Sequence, residues 1–168
     1  MRNLHQQLYE LKDFGHFLGV SWRQLVYWSD KKSKRGLELI SPAGEPAGSG
    51  TARLWSFQNV VEIALIKSLT GKHDMRVESV KRILDFLWME DESLPGWQAK
   101  FFKGWLGRCI LSRKQYSPLV YYDAPDLHEG VAVGKRQVKQ ALANILDAPT
   151  FLWVDVSNII ASVETALG

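Results

Sequence analysis

The segment Phe17–Asp30, FLGVSWRQLVYWSD, constrains the chain more than any other. A glycine and a serine sit two residues apart between two stretches of helical apolar spacing. Gly19 suits the left-handed backbone that ends a helix, because it lacks the Cβ that makes this conformation costly. Ser21 offers its hydroxyl to the orphan amides of a first turn that follows. Upstream, Leu11, Phe14 and Leu18 share one helical face with Tyr9 near its start, so a helix is expected over 9–18. Gly15 weighs against it by about 1 kcal/mol relative to alanine. Downstream, Trp22, Leu25 and Trp28 recur at i, i+3 and i+6, and Arg23 and Gln24 fall on the other side. Two short helices joined by a glycine turn are the frame of a helix-turn-helix, whose second helix enters a DNA major groove.

The next stretch supports that frame. Lys31, Lys32, Lys34 and Arg35 form a basic run. Leu37, Leu39 and Ile40 have the composition of a short strand, and Ser41–Gly50 is a Pro/Gly/Ser-rich turn. Ala52-Arg53-Leu54-Trp55 reads as the returning strand, which makes a basic wing after the second helix. Ser56 can cap a third helix, Phe57–Thr70, with Val60, Val61, Ala64, Leu65 and Leu69 as its apolar stripe and Gly71 as its end. Val77, Val80, Ile83, Leu84 and Leu87 mark a fourth helix that ends near Trp88.

Met89–Gly96, MEDESLPG, is acidic, polar and broken by Pro95, and is read as a linker. The expected organisation is a winged helix-turn-helix over 1–88, a linker over 89–96, and a small α+β domain over 97–168. In that second domain, Trp97–Leu106 reads as a short helix with Trp97, Phe101 and Trp105 on one face. Arg108–Arg113 and Pro118–Tyr122 read as strands, and Ala124–Gly130 as loop. Residues 135–146 fit an amphipathic helix through Val138, Leu142 and Ile145, a strand beginning at Val131 being an equal alternative. Phe151–Val156 is a strand candidate, and Ser157 can cap a last helix. The fold class is therefore mixed: an all-α winged helix-turn-helix followed by a small α+β domain.

Composition narrows the function classes. Over 168 residues, 46% are hydrophobic and 23% charged, an ordinary globular balance. No apolar run approaches the roughly 18 residues of a membrane span, and the polar N-terminus lacks a signal-peptide core. The single cysteine, Cys109, excludes an internal disulfide framework and fits a reducing compartment. A cytoplasmic protein with no membrane partner is expected. Residues 1–88 carry 13 Lys/Arg against 9 Asp/Glu, a net of +4, whereas residues 89–168 carry 8 against 9, a net of −1. A basic first half suits a polyanionic partner, since neutralised phosphates release counterions.

With these residues in view, the first 88 positions resemble the DNA-binding domain of MerR-type transcription regulators. Val20-Ser21-Trp22-Arg23-Gln24-Leu25-Val26-Tyr27-Trp28 follows that family's Val-Ser-x-Arg-Thr-Leu-Arg-Tyr-Tyr pattern. Arg53-Leu54-Trp55-Ser56 follows its wing-to-helix Arg-Leu-Tyr-Ser. The resemblance implies DNA contacts by Arg23 and Tyr27 from the second helix, a phosphate contact by Arg53, and anchoring of the wing by Trp55. Three departures matter. Val26 stands where the family commonly has arginine, the insertion before Arg53 is long, and no heptad pattern beyond Trp88 supplies the family's dimerisation coiled coil.

The candidate DNA-binding residues are therefore Ser21, Trp22, Arg23, Gln24, Tyr27, Lys31, Lys32, Lys34, Arg35 and Arg53. Arg can bond guanine in a bidentate manner and Gln adenine, and the basic cluster suits phosphates. Taken alone, Arg23 and Gln24 would read as a solvated helix face and the lysines as a solvated loop. Trp28 reads as a core anchor; Trp22, so near the helix start, is either a second anchor or partly exposed toward DNA. No metal or other cofactor and no catalytic residue is expected. His5, His16, His73 and His128 are scattered, and Asp123, Asp126 and Glu129 in a Pro-containing turn read as solvated acids. The expected function is a dimeric, sequence-specific regulator binding double-stranded DNA. The alternative is an antitoxin-like or accessory module that holds a protein partner through residues 97–168.

Overall fold

The computed structural model describes residues 3–30, 38–44, 52–89, 98–112, 117–124, 127–145 and 150–168. A short 3-10 turn, Leu4–Gln6, leads into β1 (Leu8–Tyr9), which pairs antiparallel with β2 (Trp55–Ser56). The first helix, α1 (Leu11–Leu18), thus starts later than its apolar spacing implies. Tyr9 is drawn into the ladder opposite Trp55, and the Glu10 amide is taken by the Asp13 carboxylate at 2.7 Å. The Tyr9 hydroxyl donates to the Leu4 carbonyl at 2.7 Å. Burial, with the charge of Asp13 adding to it, pushes that phenol up to about 12.

Gly19 ends α1 at φ +60°, and the Val20 amide bonds back to the Gly15 carbonyl at 2.9 Å. Ser21 then caps α2 (Trp22–Ser29) in a reciprocal box. Its Oγ accepts the Gln24 amide at 3.3 Å, and Gln24 Oε1 accepts the Ser21 amide at 3.0 Å. Residues 38–40 are not a strand: the Leu39 and Ile40 amides both turn onto the Trp28 carbonyl, and both side chains are buried. Gly44 and Leu54 form an isolated antiparallel bridge. The wing tip expected between them lies largely outside the described residues.

The same capping logic opens α3 (Phe57–Lys67), where Ser56 Oγ accepts the Asn59 amide at 3.2 Å. Phe57, Val60, Val61, Ile63, Leu65 and Ile66 are all fully buried, so α3 is enclosed nearly all round. It continues as a π-helical turn, Ser68–Lys72, that carries the chain past Gly71. The expected stop at Gly71 is therefore displaced, and the left-handed reversal falls on Asp74 instead. The next helix, α4 (Val77–Met89), follows its predicted stripe.

The second half departs further from expectation. A short α5 (Gln98–Phe101) is followed by α6 (Gly104–Ser112), so the strand expected at 108–113 is helix over 108–112. Trp105, Leu106, Cys109 and Ile110 are buried together at helical spacing, a stripe that a six-residue window cut in two. Gly104 permits the start at φ +58°, where a Cβ would lie 2.2 Å from the Leu87 carbonyl oxygen. Next come β3 (Pro118–Ala124) and β4 (Leu127–Val133), where a loop over 124–130 had been expected. The sheet has order β4-β3-β5, all antiparallel, with β5 (Thr150–Asp155) opposite β3. Between them, α7 (Gly134–Ile145) sets Val138 against Val120 and Ala132; the expected helix thus forms, and no strand begins at Val131, which lies inside β4. The last helix, α8 (Val156–Leu167), is capped by Asp155 rather than Ser157: its Oδ1 accepts the Ser157 amide at 3.0 Å.

The two halves share one core. Phe102, Trp105, Leu106, Val156, Ile160 and Val163 belong to the same buried cluster as Phe14, Leu25, Val60 and Leu84. His5 adds a polar tie, its Nε2 lying 2.9 Å from Glu164 Oε1 and its ring 4.6 Å from that of Phe57. The proposed linker lies almost wholly outside the described residues. Among the described residues no helix is long and apolar enough to cross a membrane.

Candidate nucleic-acid interface

Two faces of α2 separate cleanly. Leu25 and Trp28 are buried, as their spacing implies, and hold the helix on the core. Trp22 is 50% exposed and Tyr27 44%, with Arg23 and Ser21 exposed beside them. Trp22 is thus on the outer side, not a core anchor. Arg23 and Tyr27 stand at i, i+4 and so neighbour one another on the helix surface. Exposed aromatics side by side on so short a helix make an apolar patch of the kind that marks interaction surfaces. The first turn holds no acid, which leaves the positive end of the helix dipole without an intrahelical counter-charge.

Arg53 closes this face from the side of β2. Its guanidinium carbon lies 5.7 Å from the Trp22 ring centroid, and its Nη1 donates to Ser29 Oγ. That hydroxyl in turn donates to the Leu25 carbonyl at 2.6 Å. Arg53 therefore spans the first and last residues of α2. The bond to Ser29 uses one of five guanidinium N–H groups, and the planar group suits both a ring face and a phosphate. Trp55, two residues on, is fully buried and fixes the strand that carries it.

Ser21 and Gln24 are committed locally, each capping the other. A Gln24 that turned to a base edge would give up that box, worth about 1 kcal/mol. Lys31, Lys32, Lys34 and Arg35 lie outside the described residues, as does Asp126; of Asp123, His128 and Glu129 only the backbone is described.

A second polar centre was not foreseen. Glu62, 2% exposed, accepts bonds from Gln58 Nε2 at 2.9 Å, Trp88 Nε1 at 3.0 Å and Asn59 Nδ2 at 3.0 Å. Burial pushes its carboxyl above the ordinary range, against the pull of those donors and of Lys103. A cleft of 280 Å³ borders it between α3, Trp88 and the 41–43 segment. The available signal was the i, i+4 pair Gln58–Glu62 set among the apolar residues of α3. No cluster of metal-ligating side chains occurs among the described residues. The chain matches no protein-family model, and no curated protein is similar to it.

Proposed function

We propose that the protein is a sequence-specific regulator of transcription that binds double-stranded DNA through α2. In this reading the N-terminal part acts as a winged helix-turn-helix of MerR-like design. Arg23 reads a base edge, Trp22 and Tyr27 pack against the sugar–phosphate wall, and Arg53 with the basic run 31–35 neutralises phosphates. The observation that carries it is the outward cluster of Trp22, Arg23 and Tyr27 with Arg53 stacked against it. Selection of bound duplex from a random pool, then gel shifts at several salt concentrations, is the test. A consensus site, lost affinity in Arg23→Ala and a steep salt slope are expected. No enrichment, or wild-type affinity in both Arg23→Ala and Arg53→Ala, would overturn the reading.

The oligomeric part of the reading is a homodimer that joins through the α+β segment. Residues 108–112 are helix and β3 is the central strand of its sheet, so neither offers a free strand edge for pairing. The edge strand β5 is the surface for this contact, with Phe151 55% and Trp153 38% exposed on one face. A palindromic consensus and a sedimenting dimer support this; a monomer in Phe151→Asp would assign the contact. A heterologous protein recovered on the same edge would favour the accessory-module alternative.

A further inference from the structure

A groove of 580 Å³ lies where the end of α1, the π-helical turn after α3 and the outer side of α8 meet. Its apolar lining comes from Leu18, Ala64, Ile159 and Val163, and Phe17 stands 39% exposed within it. Two lysines, Lys67 and Lys72, line the same groove, and no acidic residue does. Neither lysine makes an ion pair among the described residues. The volume falls in the range of small-molecule sites, which are mostly apolar with a few placed polar groups.

The backbone at this place is unusual as well. Ser68–Lys72 is π-helical, a form that is rare and recurs at functional sites. Lys67, Ser68, Gly71 and Lys72 all line the groove from this turn. The local charge is thus positive over an apolar base, which selects for a negative head on an apolar body.

We infer that this groove binds a small amphiphile with one anionic head group, the head held by Lys67 and Lys72 and the body lying over Ala64, Ile159 and Val163. A carboxylate or a phosphate monoester satisfies the two lysines equally, so the head is defined by its charge. The site is separate from the outer face of α2 and does not depend on the DNA-binding reading.

The test is titration of the full chain with octanoate, followed by amide chemical shifts. Octanamide supplies the same body without charge, acetate the head without the body, and octyl phosphate the other head. Saturable shifts confined to 17–18, 64–72 and 158–163 are expected with octanoate or octyl phosphate. Octanamide and acetate should bind at least about tenfold more weakly, as should the Lys67→Gln/Lys72→Gln double variant. Ser162→Trp, at an exposed position on α8, should fill the groove and abolish the shifts without unfolding the chain. Shifts elsewhere, equal binding of octanamide, or an unaffected lysine double variant would overturn the inference. Equal shifts with acetate alone would reduce it to non-specific ion binding and overturn it too.

Discussion

The side-chain amide of Gln58 brackets the backbone of Lys103: its Oε1 accepts the Lys103 N–H at 2.7 Å and its Nε2 donates to the Lys103 carbonyl at 3.1 Å. One amide thereby does for the α5–α6 junction what a neighbouring strand would do. The Lys103 carbonyl also takes the Gly107 amide at 3.0 Å, but its N–H precedes the first turn of α6 and is met by Gln58, since backbone groups left without partners are costly. The same Nε2 reaches Glu62, so helix α3, helix α4 through Trp88, and the second half of the chain meet at one polar node.

Gln58→Ala removes three bonds and leaves the Lys103 N–H without its acceptor, whereas the Lys103 carbonyl keeps the Gly107 amide and Glu62 Oε1 keeps Trp88. A loss of about 2–3 kcal/mol in unfolding free energy is expected by urea denaturation. A loss below about 0.5 kcal/mol would show that water takes over the role of the amide.

Glu62 makes stability depend on pH in a defined direction. Its folded-state pKa is raised from 4.5 by burial, so the folded chain holds the proton more tightly than the unfolded one. Stability from this group is therefore fully present below pH 4.5 and declines as pH rises through the folded value. Glu62→Gln cannot titrate. The stability of wild type minus that of the variant should fall as pH rises above 4.5 and then level off. A difference that rises over the same interval would mean that the three donors outweigh desolvation.

Residues 1–88 should not fold cooperatively alone. Removing α6 and α8 strips Leu106, Ile110, Val156 and Val163 from a core in which all four are buried. Each such side chain contributes about 1.5–3 kcal/mol, and the four together are comparable with the whole net stability of a typical domain. Broad thermal melting and poorly dispersed amide resonances are expected. A sharp melt of the 1–88 fragment would restore the view of two separable domains.

Trp22 and Arg53 should act on DNA as a unit. Trp22→Ala and Arg53→Ala are each expected to weaken binding about 5–50-fold. The double variant should lose less than the product, since removal of either releases the other from the 5.7 Å stack. Strictly multiplicative losses would separate the two roles.

The helical boundaries at Gly19, Ser21 and Ser56 were legible because they are made by neighbours in the chain. Ser21 with Gln24, Ser56 with Asn59 and the left-handed Gly19 involve contacts over a few residues, which spacing alone encodes. The outer placement of Arg23 and Tyr27 follows from the inward stripe of Leu25 and Trp28 in the same way. Where partners lie far apart in the chain, local pattern misled or was silent. Tyr9 is strand because Trp55 lies opposite it, and 127–133 is strand because β3 offers a ladder.

The amino-acid sequence by itself therefore determined the junction of α1 and α2 at Gly19 and Ser21, the stripe of α4 and the uneven charge of the two halves. Tertiary structure decided that 108–112 is helix, that Trp22 faces outward beneath Arg53, and that the halves close on one core around α3. The physical reason is range. Caps and stripes are settled by groups three or four residues apart, whereas the burial of Glu62, the bracket of Gln58 on Lys103 and the groove between α1 and α8 exist only once distant segments pack.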